Sequence, residues 1–292
     1  MFRKKFFPTI LLGIIKGIRF LFDISAPIIG PKESPNLIIN DVSINSALKI
    51  RVYTPRGNNF FPIAIFIHGG GWIIGSVRAY DRILQYIAYN SRCVVVGVNY
   101  RKMPEHSHPR ALEDVFAAYR WIQENASLIK GDKTRIGLIG DSAGGNIAIQ
   151  LAHKLDKYSQ PINYLALIYP VVLNGVISCQ KNKWIKCFGL SILKRLLESY
   201  FGSLNAAQIN FKEGDPLKNI KCPKILIIAA DKDPLTELIT GYVARLKDKG
   251  IKVDYYFYPG SFHGFLNFAG FVPSAKKALK AVVDFLKEDF EI

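Results

Sequence analysis

Little in this chain of 292 residues suits metal or redox chemistry. Its four cysteines, Cys93, Cys179, Cys187 and Cys222, form no CxxC pair and have no zinc-ligand spacing. Cys93 opens an apolar, strand-like run and Cys222 sits just before another, so neither reads as half of a surface disulfide. Reduced, structural cysteines are expected, which favours a cytoplasmic setting over secretion. There is no internal repeat and no low-complexity tract, which excludes solenoids, propellers and disordered linkers. Acids are scarce: 23 Asp+Glu stand against 39 Lys+Arg, a net charge of +16. That balance raises nucleic-acid binding, but no zinc-finger spacing, basic heptad region or aromatic RNA-binding signature accompanies it. No nucleic-acid partner is therefore expected.

No apolar run is long enough for a plain membrane-spanning helix. Phe6–Ile15 comes nearest, and Lys16 and Arg19 interrupt it. The basic start Met1–Lys5 and this run resemble a signal peptide, yet Ile24-Ser25-Ala26 before Pro27 makes a poor cleavage site. Wound as a helix, Phe7, Ile10, Leu11, Ile14, Ile15, Ile18, Leu21 and Phe22 share one face, with Leu12 and Phe20 breaking the pattern. A basic amphipathic helix of this kind either lies on a membrane, through residues 1–22, or covers an apolar pocket. Arg3, Lys4, Lys5, Lys16 and Arg19 precede any acid; Lys181, Lys183, Lys186, Lys194 and Arg195 form a second acid-free run.

Apolar residues make up 49% and charged residues 21%, enough to bury a two-sided sheet. Strands are expected at Val42–Tyr53, broken by a turn at Asn45–Ser46, and at Ile63–Ile67, Cys93–Val98, Arg135–Ile139, Tyr164–Tyr169, Ile225–Ala229 and Val253–Tyr258. Helices are expected at Arg82–Ala88, Ala111–Gln123, Asn146–Leu155, Leu235–Lys247 and Ala275–Leu286. This alternation predicts an α/β fold, a mostly parallel, doubly wound sheet with helices on both faces. From Pro170 to about Asp215 the alternation lapses into an insertion, helical near Leu190–Tyr200.

Gly140-Asp141-Ser142-Ala143-Gly144 follows a predicted strand and precedes a helix, the setting that a G-x-S-x-G turn requires. A serine there adopts a strained backbone and projects its hydroxyl above the sheet, and the helix that follows directs its free N–H groups towards a developing oxyanion. His68-Gly69-Gly70-Gly71-Trp72 follows another strand, and its glycines let backbone N–H groups approach the same point; each such donor stabilises a transition state by about 3–4 kcal/mol. Of the five histidines, His68, His106 and His108 precede the serine and His153 falls on the helix after it. His68, beside the glycine loop, suits a structural hydrogen bond. Only His263 follows a later strand, where a base belongs in the order Ser…Asp/Glu…His. For the acid, Asp231 and Asp233 both end the strand Ile225–Ala229, and spacing does not separate them.

These pieces, with Tyr100–His106, Ala111–Asp114, Asp233-Pro234-Leu235 and His263-Gly264-Phe265, occur in the order found in hormone-sensitive-lipase-like esterases. The chain resembles that branch of the α/β-hydrolase fold from about Val42 to its end. The resemblance implies a serine carboxylic-ester hydrolase with Ser142, Asp233 and His263 as catalytic residues. It also implies Gly70, Gly71 and Ala143 as oxyanion donors, with His68, Gly69, Trp72 and Asp141 in supporting positions and no cofactor or metal. One departure is Thr236-Glu237-Leu238, where the family has Arg-Asp-Glu. The family's helical cap maps onto residues 1–30 and 170–215 of a single 1–292 domain. Small or medium acyl esters are the expected substrates; an amide hydrolase, such as an aryl-formamidase or deacetylase, is the alternative, and an inactive ligand-binding member of the fold is a more distant one.

Overall fold

The all-apolar runs become the inner strands of an eight-stranded sheet in the order β1-β2-β4-β3-β5-β6-β7-β8. The computed structural model describes residues 9–158, 162–172, 184–202 and 224–288. The strands are β1 (Leu37–Ser43), β2 (Lys49–Pro55), β3 (Phe61–Ile67), β4 (Val94–Asn99), β5 (Gly131–Asp141), β6 (Tyr164–Ile168), β7 (Lys224–Lys232) and β8 (Val253–Phe262). Every residue of β3 and β6 is buried, as expected for strands covered on both faces. Edge strands β1 and β8 keep several residues exposed. β2 runs antiparallel to β1 and to β4, and all pairings from β4 through β8 are parallel. The expected turn at Asn45–Ser46 joins β1 to β2; Asn45 Oδ1 accepts the N–H groups of Ala47 and Leu48, each at 2.9 Å.

The helices are α1 (Thr9–Ile29), α2 (Asp81–Ser91), α3 (Arg110–Asn125), α4 (Ala143–Lys157), α5 (Trp184–Phe201), α6 (Thr236–Asp248) and α7 (Pro273–Glu288). From β3 the chain steps to β4 on one side, then crosses back to β5 on the other. Right-handed crossovers therefore place α2 and α3 on opposite faces, and accordingly α2 packs with α7 while α3 packs with α4. The crevice where the strand order reverses, between the C-terminal ends of β3 and β5, is where α/β sheets bind ligands.

The expected insertion is helical over α5, and its residues 173–183 and 203–215 lie outside the described residues, as do 216–223, Arg3, Lys4 and Lys5; Cys179, Lys181, Lys183 and Cys222 are among these. Cys93 is a buried free thiol whose pKa burial pushes up to about 12. The expected apolar face of α1 divides: Ile15 and Phe22 pack inward, whereas Ile14, Ile18 and Leu21 are exposed.

Candidate active site

The last residue of β5 is Asp141, and the chain turns so sharply at Ser142 (φ 52°, ψ −119°) that α4 begins at once. A non-glycine residue at that positive φ is strained. The turn is held by backbone bonds: Ser142 N–H donates to Ile168 O (2.9 Å), and Ser142 O accepts from Val171 N–H (3.0 Å) and Asn146 N–H (3.2 Å). The flanking glycines allow close packing against neighbouring backbone. A Cβ on Gly144 would meet the carbonyl oxygens of Ile67 and His68 at the end of β3, and one on Gly140 would lie 2.5 Å from Gly144 O.

The hydroxyl of Ser142 lies 2.8 Å from His263 Nε2, and His263 Nδ1 lies 2.7 Å from Asp233 Oδ2. His263 occupies the turn after β8, and Asp233 the loop after β7, so the two adjoining strands deliver the pair to one edge. Asp233 is buried, with its second oxygen accepting the Leu235 N–H at 2.8 Å. Asp231 points elsewhere and accepts the Gly260 N–H at 3.0 Å. The geometry thus separates two carboxylates that spacing left equivalent. Thr236, where the sequence departs from the esterase pattern, closes the same loop: its hydroxyl donates to the carbonyls of Ala230 (2.6 Å) and Asp233 (2.8 Å).

The glycine loop lies directly opposite. Gly70 (φ 110°), Gly71 (φ 61°) and Trp72 (φ 60°) form a left-handed run, and a Cβ on Gly70 would collide with the Ile74 carbonyl. The turn closes as Gly70 O accepts from Ile73 N–H (3.0 Å) and Ile74 N–H (2.9 Å). Trp72 stacks on Tyr200 of α5 with centroids 4.7 Å apart. His68 is wholly buried against Tyr100, ring centroids 4.3 Å apart, and its Nδ1 donates to Gly69 O at 2.8 Å. Burial pushes its pKa down to about 3, which leaves the ring neutral at pH 7.

Asp141 joins the two motifs. Its Oδ1 accepts the Gly69 N–H at 2.7 Å and its Oδ2 accepts the Tyr80 hydroxyl at 2.8 Å. Burial raises its pKa to about 6, with these two hydrogen bonds acting in the opposite direction. Asn267 Nδ2 lies 3.4 Å from the same hydroxyl and 3.3 Å from Gly264 O, extending the network to the turn that carries His263. Neither Tyr80, in the turn before α2, nor Asn267, in a single 3-10 turn after β8, stands out in the sequence, since neither belongs to a motif.

Ser142 and His263 open into a cavity of about 390 Å³. Its walls include Gly70, Gly71 and Trp72 from the glycine loop, Leu235 and Pro234 beside the acid, and Phe268. Phe22 and Ile29 of α1 and Ile192, Leu193 and Leu196 of α5 also line it. Both segments read as cap therefore contribute walls. His108 stands apart, 3.1 Å from Gln150 and packed on Phe201.

An eight-stranded, mostly parallel sheet with a serine on a strained strand–helix turn, hydrogen-bonded to a histidine that in turn meets a buried aspartate, defines the α/β-hydrolase class. Residues 64–267 match the family model described as the alpha/beta hydrolase fold, and the chain belongs to that family, among its hormone-sensitive-lipase-like esterases. Carboxylesterase NlhH of Mycobacterium tuberculosis is 31% identical over 264 residues, covering 85% of this chain and 82% of its own. Arylacetamide deacetylase of Bos taurus is 28% identical over 328 residues, covering 89% and 82%. The Pyrobaculum calidifontis esterase structure superposes with a TM-score of 0.81 at 27% identity, covering 94% of this chain and 92% of that one.

Proposed function

We propose that this chain hydrolyses carboxylic esters, with Ser142 as nucleophile, His263 as base and Asp233 as the acid that orients it. The observation that carries the reading is the continuous relay from Ser142 Oγ to His263 Nε2 (2.8 Å) and from His263 Nδ1 to Asp233 Oδ2 (2.7 Å). Asp233 holds the proton on Nδ1, leaving Nε2 free to take the proton of Ser142 as its oxygen attacks the ester carbonyl. The carbonyl oxygen becomes an oxyanion, received by the N–H groups of Gly70, Gly71 and Ala143. His263 then gives its proton to the departing alcohol, leaving an acyl-serine. Water attacks that acyl group as His263 takes its proton, and the acid leaves as Ser142 is reprotonated.

Residues 1–30 and 170–215 form the cap of this reading. The mainly apolar walls that α1 and α5 contribute favour small or medium acyl groups over charged ones. A peripheral contact with membranes through residues 1–22 belongs to the same reading. Amide hydrolysis is the second reading, favoured by the likeness to a mammalian arylacetamide deacetylase. Parallel assays on p-nitrophenyl esters of increasing acyl length and on the matching anilides test both. Turnover of butyrate or hexanoate esters well above that of the anilides is expected; faster anilide cleavage would replace the first reading with the second.

A further inference from the structure

Helix α1 turns a mixed side inward, where Ile15 and Phe22 pack beside the polar Arg19 and Asp23. Arg19 donates through Nε to Ile73 O (2.7 Å), also binds the Met103 carbonyl, and pairs with Glu105 at 2.8 Å, while Asp23 accepts the Ser76 hydroxyl. The opposite side carries Ile14, Ile18, Phe20, Leu21, Ile24 and Ile28, which are 43–72% exposed. Added Cβ atoms on Gly13 and Gly17, on that same side, would meet nothing within 4 Å. An amphipathic helix that packs on its own domain normally buries its apolar stripe. Here α1 buries Ile15 and Phe22 and still leaves a second apolar stripe facing out, with the Arg19 and Asp23 contacts holding the helix in that orientation.

We propose that this outer face of α1 docks on an anionic lipid surface. The proposal rests on the ester-hydrolase reading and moves the contact from residues 1–22 to the face running from Ile14 to Ile28. Charge selects the occupant. Lys16 on α1 and Lys194 and Arg195 on α5 are exposed, and the chain carries +16 overall. Docking a second copy on the face would bring two strongly cationic chains together, whereas anionic headgroups beside an acyl layer complement both the charge and the stripe. Among the described residues no helix is long and apolar enough to cross a membrane, so α1 lies in the interface plane. The cavity meets the same surface: Phe22 and Ile29 of α1 line it, and Ile192 of α5 lines it while remaining 44% exposed. Docking through α1 therefore holds the cavity that lies beneath this helix close to the bilayer, and the substrates are apolar esters that partition into lipid.

The test is flotation of the full chain with vesicles of phosphatidylcholine, with and without phosphatidylglycerol, alongside the double variant Ile18→Glu/Leu21→Glu. Wild type should float with the anionic vesicles, less at high salt, and the variant's partitioning should fall by roughly tenfold or more. Both should hydrolyse water-soluble p-nitrophenyl acetate equally, which shows that the variant folds, whereas only wild type should cleave an ester embedded in the vesicles efficiently. Equal flotation of the two proteins, no wild-type flotation, or a wild-type dimer that the variant abolishes would overturn the proposal. Ser142→Ala should float like wild type, so loss of docking and loss of hydrolysis are read separately.

Discussion

Replacing Asp233 by Asn tests the relay where its geometry is most constrained. Asp233 Oδ1 is committed to the Leu235 N–H at 2.8 Å, so the Asn carbonyl oxygen must take that place. The amide NH₂ then faces His263 Nδ1, which the carboxylate met at 2.7 Å. A donor there forces Nδ1 to accept, moving the imidazole proton to Nε2, where it confronts the Ser142 hydroxyl as a donor. The base is then in the wrong tautomer. A loss of about 10⁴ in kcat follows, equivalent to about 5.4 kcal/mol of transition-state stabilisation. Initial rates on p-nitrophenyl butyrate at pH 7, with labelling by a fluorophosphonate probe in parallel, measure it. Asp231→Asn, whose carboxylate contacts Gly260 N–H, is expected to stay within roughly a factor of two to three of wild type. A loss under tenfold at Asp233, or comparable losses at both positions, would refute the reasoning.

Gly144→Ala places a methyl group against the carbonyls of Ile67 and His68, backbone atoms of β3 that cannot turn aside; a stability loss of about 2–3 kcal/mol in urea titration is expected. The pH dependence of stability should show two buried groups acting in opposition. Asp141, with its pKa raised from 3.8 to about 6, binds more protons folded than unfolded between pH 4 and 6, so its term falls as pH rises. His68, with its pKa lowered from 6.5 to about 3, binds fewer protons folded, so its term rises over the same window. Asp141→Asn leaves the His68 term alone, and the variant should lose about 1.4 kcal/mol more than wild type for each pH unit from 6 to 4; parallel pH profiles would contradict this. Phe22→Ala enlarges the cavity beneath α1 and should shift the kcat/KM ratio of octanoate to butyrate esters upward by about tenfold, the effect of burying two further methylenes.

Where local pattern decides structure, the sequence was legible. Ile63–Ile67 reads as a doubly covered strand because no polar residue interrupts it, Tyr164–Tyr169 reads as a strand that β6 matches to within one residue, and Ser142 is marked by its place between a strand and a helix. His263 was reached by chain order and lies at Ser142. The acid is different: Asp231 and Asp233 end the same strand two residues apart, spacing does not separate them, and resemblance alone points to Asp233, the one that the path of the loop aims at the imidazole. The glycines of the elbow were recognised, but their constraint comes from β3 and from the first turn of α4, neighbours that no local window contains. Tyr80 and Asn267, which tie Asp141 to the His263 turn, carry no sequence signal because their role exists only across distant segments. Helix α1 shows the limit of periodicity. A helical wheel identifies apolar residues but not which of them turn inward; Ile15 and Phe22 do, Ile14, Ile18 and Leu21 do not, and Arg19 helps set that orientation through Glu105, 86 positions away.

The central claim is that Ser142 attacks the substrate. Incubation with a fluorophosphonate probe, peptide mapping of the adduct and kcat on p-nitrophenyl butyrate for wild type and Ser142→Ala test it together. One probe per chain, mapped to Ser142, and a loss on the order of 10⁶ in kcat for the variant are expected. Near-wild-type turnover by Ser142→Ala, or an adduct on any other residue, would contradict the account.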